Sequence, residues 1–283
     1  MRVVLSFSTI PSRVQYLSNI IDCLQKQTYP VDQIYLNLPY TSRREQKLYP
    51  PLPNLNLSNV KVVRCADYGP ITKLYPVLTL EKDPSTIIIT VDDDVQYNLN
   101  RVETLVKWCL KYPNAAIGGG GFIVGNWYNF FGNIISPKDI TSVSVIEGNS
   151  ACAYRRGFFN NDLIDYTGAP SASFYHDDVW ISGYLAKKGI LRMIHPEPFG
   201  TFQDLPNGLS NDRLKCVLRF FPVLRYFQNQ GLFQEIQVAY PQHILGYRII
   251  AIILLVLAIL FIIIFAVIPP QYTKNVHYLF GFS

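Results

Sequence analysis

The segment Ile87–Asn98 reads "IIITVDDDVQYN". Its first five positions are apolar or β-branched, the composition of a strand buried on both faces. Three carboxylates follow without a break: Asp92, Asp93 and Asp94. Neighbouring like charges repel, and each is costly to take out of water without a partner. A cation is therefore expected where this strand ends.

Upstream of that segment, Val3–Phe7, Ile34–Leu38 and Val60–Arg64 read as strands. Ser12–Gln27 and Ile71–Leu80 read as helices, the first with Val14, Leu17, Ile20, Ile21 and Leu24 on one face. Strands alternating with helices require crossover connections, hence an α/β fold with a mostly parallel sheet. Ligands of such sheets collect beyond the carboxyl ends of the strands. Three loops leave those ends: "STIPSR", "CADYGPITK" and "DDDVQ". Downstream, a helix after Asn98 carries Val102, Leu105, Val106 and Leu110. The glycine-aromatic run "IGGGGFIVGNWYNFFGN" suits a mobile loop or a close backbone approach. "SVSVIEGNSACAYRRGFF" gives two short strands, and "YHDDVWISGYLAKKGI" a helix opened by Asp177 and Asp178 and closed by Gly189.

With 283 residues, 49% of them hydrophobic, the chain can bury one large α/β domain or two small ones. A net charge of +5 is too mild to imply a nucleic-acid partner. Arg213, Lys215, Arg219 and Arg225 are interleaved with Leu214, Val217, Phe220, Phe221, Leu224 and Phe227. That pattern fits either a helix lying on an anionic membrane surface, broken at Pro222, or an amphipathic helix packed on the domain. Five scattered cysteines without a CxxC pair (Cys23, Cys65, Cys109, Cys152 and Cys216) read as reduced, mostly buried thiols of a cytosolic domain. Residues 249–268 carry no charged or strongly polar side chain; as a helix they would span roughly 30 Å, a bilayer's hydrocarbon core. Pro269 and Pro270 end the run, and Tyr247 and Tyr272 flank it as interfacial aromatics do. The N-terminus shows no signal-peptide pattern. A single-pass C-terminal anchor with the large domain in the cytosol is expected.

The residues at the strand ends suggest chemistry. An Asp-x-Asp is a hard-oxygen site, suited to Mg²⁺ or Mn²⁺ held by carboxylates plus a substrate's phosphates; the alternative is a solvated acidic turn. Asp177 and Asp178 are either helix-capping acids or a general base facing a sugar hydroxyl. Lys73, with the helix N-terminus after "DYGP", is a phosphate contact or a surface lysine. Arg13, and the pair Arg155 and Arg156, are anion contacts or surface charges. His176 and His195 are single histidines, more often structural than metal-bound.

The ordered motifs "VVLSFSTIPSR", "DYGPITKLYP", "IIITVDDDV", "EGNSACAYRRGFF" and "HDDVWISGYLAKKG" resemble nucleotide-sugar glycosyltransferases of the GT-A fold, close to the family 2 type, over about residues 1–200. The resemblance implies nucleotide binding at Ser8, Thr9, Arg13 and Asp67, with Lys73, Asp92 and Asp93 completing the donor site. It puts Asp92 near the ribose and a Mn²⁺ or Mg²⁺ ion on Asp94, assisted by Asp92. Inverting members use the second acid of a Glu-Asp pair as base. Here the pair is Asp177-Asp178, which points to Asp178 and leaves Asp177 as the alternative. No Gln-x-x-Arg-Trp motif of processive synthases is present, so single-sugar transfer is expected, from a nucleotide-sugar donor to a glycan, lipid-linked or protein acceptor. The organisation that follows is a GT-A catalytic domain over 1–205, a basic-aromatic membrane-proximal segment over 206–248, a transmembrane helix over 249–268 and a short tail over 269–283. Rival readings are a membrane-tethered sugar-binding or scaffold protein without turnover, and a metal-dependent phosphohydrolase.

Overall fold

The computed structural model describes residues 1–124, 133–134, 137–207, 213–233 and 255–257. The chain divides into two units, Met1–Ile236 and Gln237–Ser283.

The first unit is built on an eight-stranded sheet. Its strands are β1 (Val3–Ser8), β2 (Gln33–Pro39), β3 (Val60–Cys65), β4 (Ile87–Thr90), β5 (Ala115–Gly118), β6 (Thr141–Ser142), β7 (Cys152–Arg155) and β8 (Leu191–Ile194). They lie in the order β6-β8-β5-β7-β4-β1-β2-β3. The pairs β1–β2, β1–β4, β2–β3 and β5–β8 are parallel. β7 runs antiparallel to both β4 and β5, and β6 antiparallel to β8.

Side chains alternate across this sheet. Val3, Leu5, Phe7, Ile87 and Ile89 pack in one layer with helices α1 (Leu17–Gln25) and α3 (Arg101–Lys111). Val4, Ile88 and Tyr154 pack in the other with α2 (Tyr75–Leu80) and α4 (Asp177–Lys187). With both faces covered, the central strands β1 and β4 are apolar at most positions, and each fully buried aliphatic side chain contributes about 1.5–3 kcal/mol.

Two helices differ from the sequence reading at their starts. The segment expected to be helical from Ser12 is a 3₁₀ turn over Pro11–Tyr16 and becomes α-helical only at Leu17. Pro11 sits at the head of that turn, where its missing N–H costs nothing. Likewise Gly69–Lys73 is a 3₁₀ turn, and α2 proper begins at Tyr75 with Pro76 in its first turn. A short strand missed in the sequence, Val95–Tyr97, pairs with Gly200–Phe202, about a hundred residues away.

Helix α5 (Arg213–Gln228) runs on through Pro222 and lays Val223, Leu224 and Phe227 into the core. The Phe227 ring sits 5.3 Å from that of Trp180, against Gly183 of α4, where a Cβ would meet the ring at 2.5 Å. Of the two readings of this basic-aromatic segment, packing on the domain is the one observed for Val223, Leu224 and Phe227. Cys23, Cys109 and Cys152 are buried free thiols, and Cys65 is a half-buried one.

In the second unit Leu255, Val256 and Leu257 are helical and exposed. Among the described residues no helix is long and apolar enough to cross a membrane. The expected span over 249–268 lies outside the described residues except for these three, as does most of the glycine-aromatic loop after Val124.

Candidate active site

The carboxyl ends of β1, β3 and β4 border a cavity of about 480 Å³, together with the N-terminus of α4 and the segment preceding β7. The direction of β7 matters here. Its first residue, Cys152, lies opposite Thr90, the last of β4, so Glu147–Ser150 arrives at the same sheet edge as the three aspartates. Every site residue inferred from the sequence lines the cavity: Ser8, Thr9, Arg13, Asp67, Lys73, Asp92, Asp93, Asp94, Asp177 and Asp178.

Their hydrogen bonds divide the roles. Asp93 accepts from Thr9 Oγ1 at 2.5 Å and from Arg13 at 2.6 Å. Burial raises its pKa, while Arg13 and Thr9 act in the opposite sense. The middle aspartate is thus spent on anchoring the loop after β1. Arg13 also pairs with Asp94 at 3.0 Å and donates from Nε to Pro206 O at 2.8 Å. Asp92 takes Lys73 Nζ at 2.7 Å. The protein's own cations, Arg13 and Lys73, stand where like charges would otherwise repel.

Lys73 is ion-paired within the cavity wall. Its ammonium is buried, 3.0 Å from Asp177 Oδ2 as well as against Asp92. Burial alone would lower its pKa; Asp177, Asp92 and Asp178 together raise it well above the usual lysine value. Asp67 too is bonded within the protein. Its Oδ1 accepts from the Gly69 amide at 2.7 Å and its Oδ2 from the Arg43 amide at 2.6 Å, so it holds two loops. Gly69 has φ +73°, and a Cβ there would meet Phe174 O at 2.3 Å, which confines this turn to glycine.

Asp178 is half-buried at the head of α4, and its Oδ1 accepts from the Gly148 amide at 2.8 Å. Burial and then Asp177 push its pKa well above the ordinary carboxylate value, with Lys73 and the Gly148 amide pulling the other way. A Cβ on Gly148 would lie 2.6 Å from Lys73 Nζ and 2.8 Å from Asp178 Oδ1. Glycine is what lets the backbone approach both groups. The segment is tied to the aspartates through Tyr97, whose hydroxyl accepts from the Asp92 amide at 2.9 Å and donates to Asn149 O at 3.1 Å. Behind it, the Arg101 guanidinium donates to the carbonyls of Ser150 and Ala151 and meets His195.

Arg155 and Arg156 are not part of the cavity. Arg155 donates to Pro113 O and Cys109 O, and Arg156 caps the end of α2 through Leu78 O and Glu81 O. His195 is buried between Arg101 and Glu197, with burial the main cause of a pKa lowered to about 4. His176 lines the cavity, its ring 6.0 Å from that of Phe220. Sequence reasoning missed Arg44 and Tyr49, and it quoted Glu147 and Asn149 within a motif without giving either a role. The adjacent arginines at 43 and 44, just past a strand end, were the available signal for the first.

Among the described residues lining the cavity, seven carboxylates face three cations, Arg13, Arg44 and Lys73. This excess of negative charge, and a donor set of oxygen atoms, suit a hard divalent ion. Asp92 and Asp94 keep 28% and 29% side-chain exposure, and each spends only one oxygen on its ion pair. No group of three or more His, Cys, Asp or Glu among the described residues is arranged to hold a metal alone. Asp92 and Asp94 are the carboxylates with an oxygen left over for such an ion.

No family model matches the sequence, and no curated protein does. Solved structures do match. One of them, the crystal structure of S. aureus TarS, superposes with a TM-score of 0.50 and 13% identity over 81% of this chain and 39% of that one. At such identity the likeness is one of fold, a mixed α/β unit around a mostly parallel central sheet. The chain spans well under half the length of TarS.

Proposed function

We propose that the chain is a glycosyltransferase that moves one sugar from a nucleotide-sugar donor to a hydroxyl acceptor, with inversion at the anomeric carbon. The observation that carries this reading is the facing of two acid groups across one buried lysine. Asp92 and Asp94 stand at the end of β4, Asp177 and Asp178 stand at the head of α4, and Lys73 touches both sets. The glycosyltransferase fold of its structural neighbour supports it.

Asp178 acts as general base. Its raised pKa makes it a stronger proton acceptor than a free carboxylate, and the Gly148 amide orients one oxygen so that the other meets the acceptor hydroxyl. Asp177 and Lys73 set the electrostatics of that base from behind. Arg13 draws the loop after β1 onto Asp93 and Asp94, shaping the donor side. Asp92 and Asp94 would hold Mn²⁺ or Mg²⁺; that ion, when bound, supplies neutralisation of charge on the departing diphosphate.

Release of nucleoside diphosphate across common sugar nucleotides, with and without Mn²⁺, tests the reading. Asp178→Asn is expected to lower turnover by roughly 10²–10⁴-fold with donor affinity kept. Full activity in EDTA, release of inorganic phosphate instead, or retained anomeric configuration by NMR would each refute a named part of it. Residues 249–268 are proposed to anchor the chain to a membrane, on the strength of their uncharged apolar run and the exposed Leu255, Val256 and Leu257. The free thiols support a cytosolic catalytic unit. Glycosylation found at the sequon Asn56-Leu57-Ser58 would put it on the other side.

A further inference from the structure

Arg44 is the one cation lining the cavity that, among the described residues, makes no hydrogen bond and no ion pair. Everything around it is fastened. Arg43 N donates to Asp67 Oδ2 at 2.6 Å, and Glu45 N donates to Ser42 Oγ at 3.2 Å. The Glu45 carboxylate accepts from Ser12 Oγ at 2.5 Å and from Asn207 at 2.9 Å. The short hairpin that carries Arg44, Thr41–Ser42 paired with Lys47–Leu48, is therefore clamped to the loops after β1 and β3. A guanidinium offers five donors, and half-burying it without an acceptor is unfavourable. Burial, followed by the nearby Arg13 charge, lowers its pKa, while Asp93, Glu45 and Asp94 act in the opposite sense without any of them forming an ion pair with it.

We infer that Arg44 is a specificity-determining contact to the diphosphate of the donor, gripping phosphate oxygens with its planar fork beside Arg13. This rests on the reading of the cavity as a sugar-nucleotide site and adds a residue to it. Arg13 cannot serve alone, since its guanidinium is already shared among Asp93, Asp94 and Pro206 O. A guanidinium suits the task better than an ammonium, because two of its N–H groups match two oxygens of one phosphate.

The experiment compares binding of nucleoside diphosphates (UDP, GDP, CDP and ADP) and their parent nucleosides to the full chain in Mg²⁺ by calorimetry. The wild type, Arg44→Met, Arg44→Lys and Lys47→Met are measured, the last removing an exposed charge from the same hairpin. Arg44→Met should weaken the bound diphosphate by about tenfold or more and leave the nucleoside within about twofold. Arg44→Lys should fall between, and Lys47→Met should match the wild type. Thermal midpoints check that the variants fold. Unchanged diphosphate affinity in a folded Arg44→Met, or an equal loss for diphosphate and nucleoside, overturns the assignment while the wider reading stands. If none of the four diphosphates binds the wild type, the sugar-nucleotide reading falls and this inference with it.

Discussion

Replacing Lys73 by Met tests the electrostatic core of the site most directly. The ammonium lies 2.7 Å from Asp92 and 3.0 Å from Asp177, and burial leaves it little water. At an effective dielectric constant of about 20, those pairs are worth about 6 and about 5.5 kcal/mol before desolvation. Desolvation offsets much of that in the wild type. Deleting only the cation leaves the buried Asp177 and the partly exposed Asp92 without compensation, and the expected net loss is about 3–5 kcal/mol, a large part of the roughly 5–15 kcal/mol of a folded domain. The loss should depend on pH in a defined direction. Asp178 already has a raised pKa, and without Lys73 it rises further. A carboxyl whose pKa is higher folded than unfolded stabilises fully below the unfolded value, and that contribution is lost as pH rises through the folded value. Urea unfolding followed by tryptophan fluorescence should therefore show a smaller deficit at pH 5 than at pH 8. Adding Asp177→Asn to the variant should recover a substantial part of the deficit. A single variant within about 1 kcal/mol of wild type at pH 8, or a double variant no better than the single, would refute the reasoning.

Tyr97→Phe should strand the part-buried Asp92 amide and cost about 1–3 kcal/mol in urea unfolding, with faster hydrogen exchange at that amide. Gly148→Ala should displace the Asp178 carboxylate and lower kcat by about 10²-fold, while the circular dichroism spectrum stays that of the wild type, because the clashing atoms are side-chain ends. His195, lowered from 6.5 to about 4, is neutral in the folded protein and must charge on unfolding. Stability should then rise with pH between about 4 and 6.5, by about 3 kcal/mol. His195→Gln should flatten that slope in parallel unfolding curves, and an unchanged slope would exclude the histidine as its source.

The strands and the acids at their ends were legible in the sequence because both signals are local. Ile87–Thr90 is unbroken apolar sequence, and the aspartates follow it directly. The head of α4 was legible for the same reason, since Asp177 begins the helix. What escaped is what comes from elsewhere in the chain. Nothing near Asp93 indicates that Thr9 and Arg13 will take it, and nothing near Lys73 indicates that two acid pairs will close on it. Those pairings span 80 or more residues in several cases and exist only once the sheet has formed. The 3₁₀ starts were hidden differently: periodicity reports which face is apolar, and it does not distinguish a tight first turn from an α-helical one.

The reversed direction of β7 also imposes an order in time. As the chain emerges from its amino end, residues through Gly118 already contain the loops after β1, β3 and β4. The Gly148 amide and the Asp177–Asp178 pair come later, and the amide reaches the aspartates only when β7 slots in between β4 and β5. Under the proposed function, a nascent chain that has reached Gly118 contains the residues assigned to the donor and still lacks the one assigned as base. On that same reading, the insertion of one four-residue strand brings the two halves of the site together.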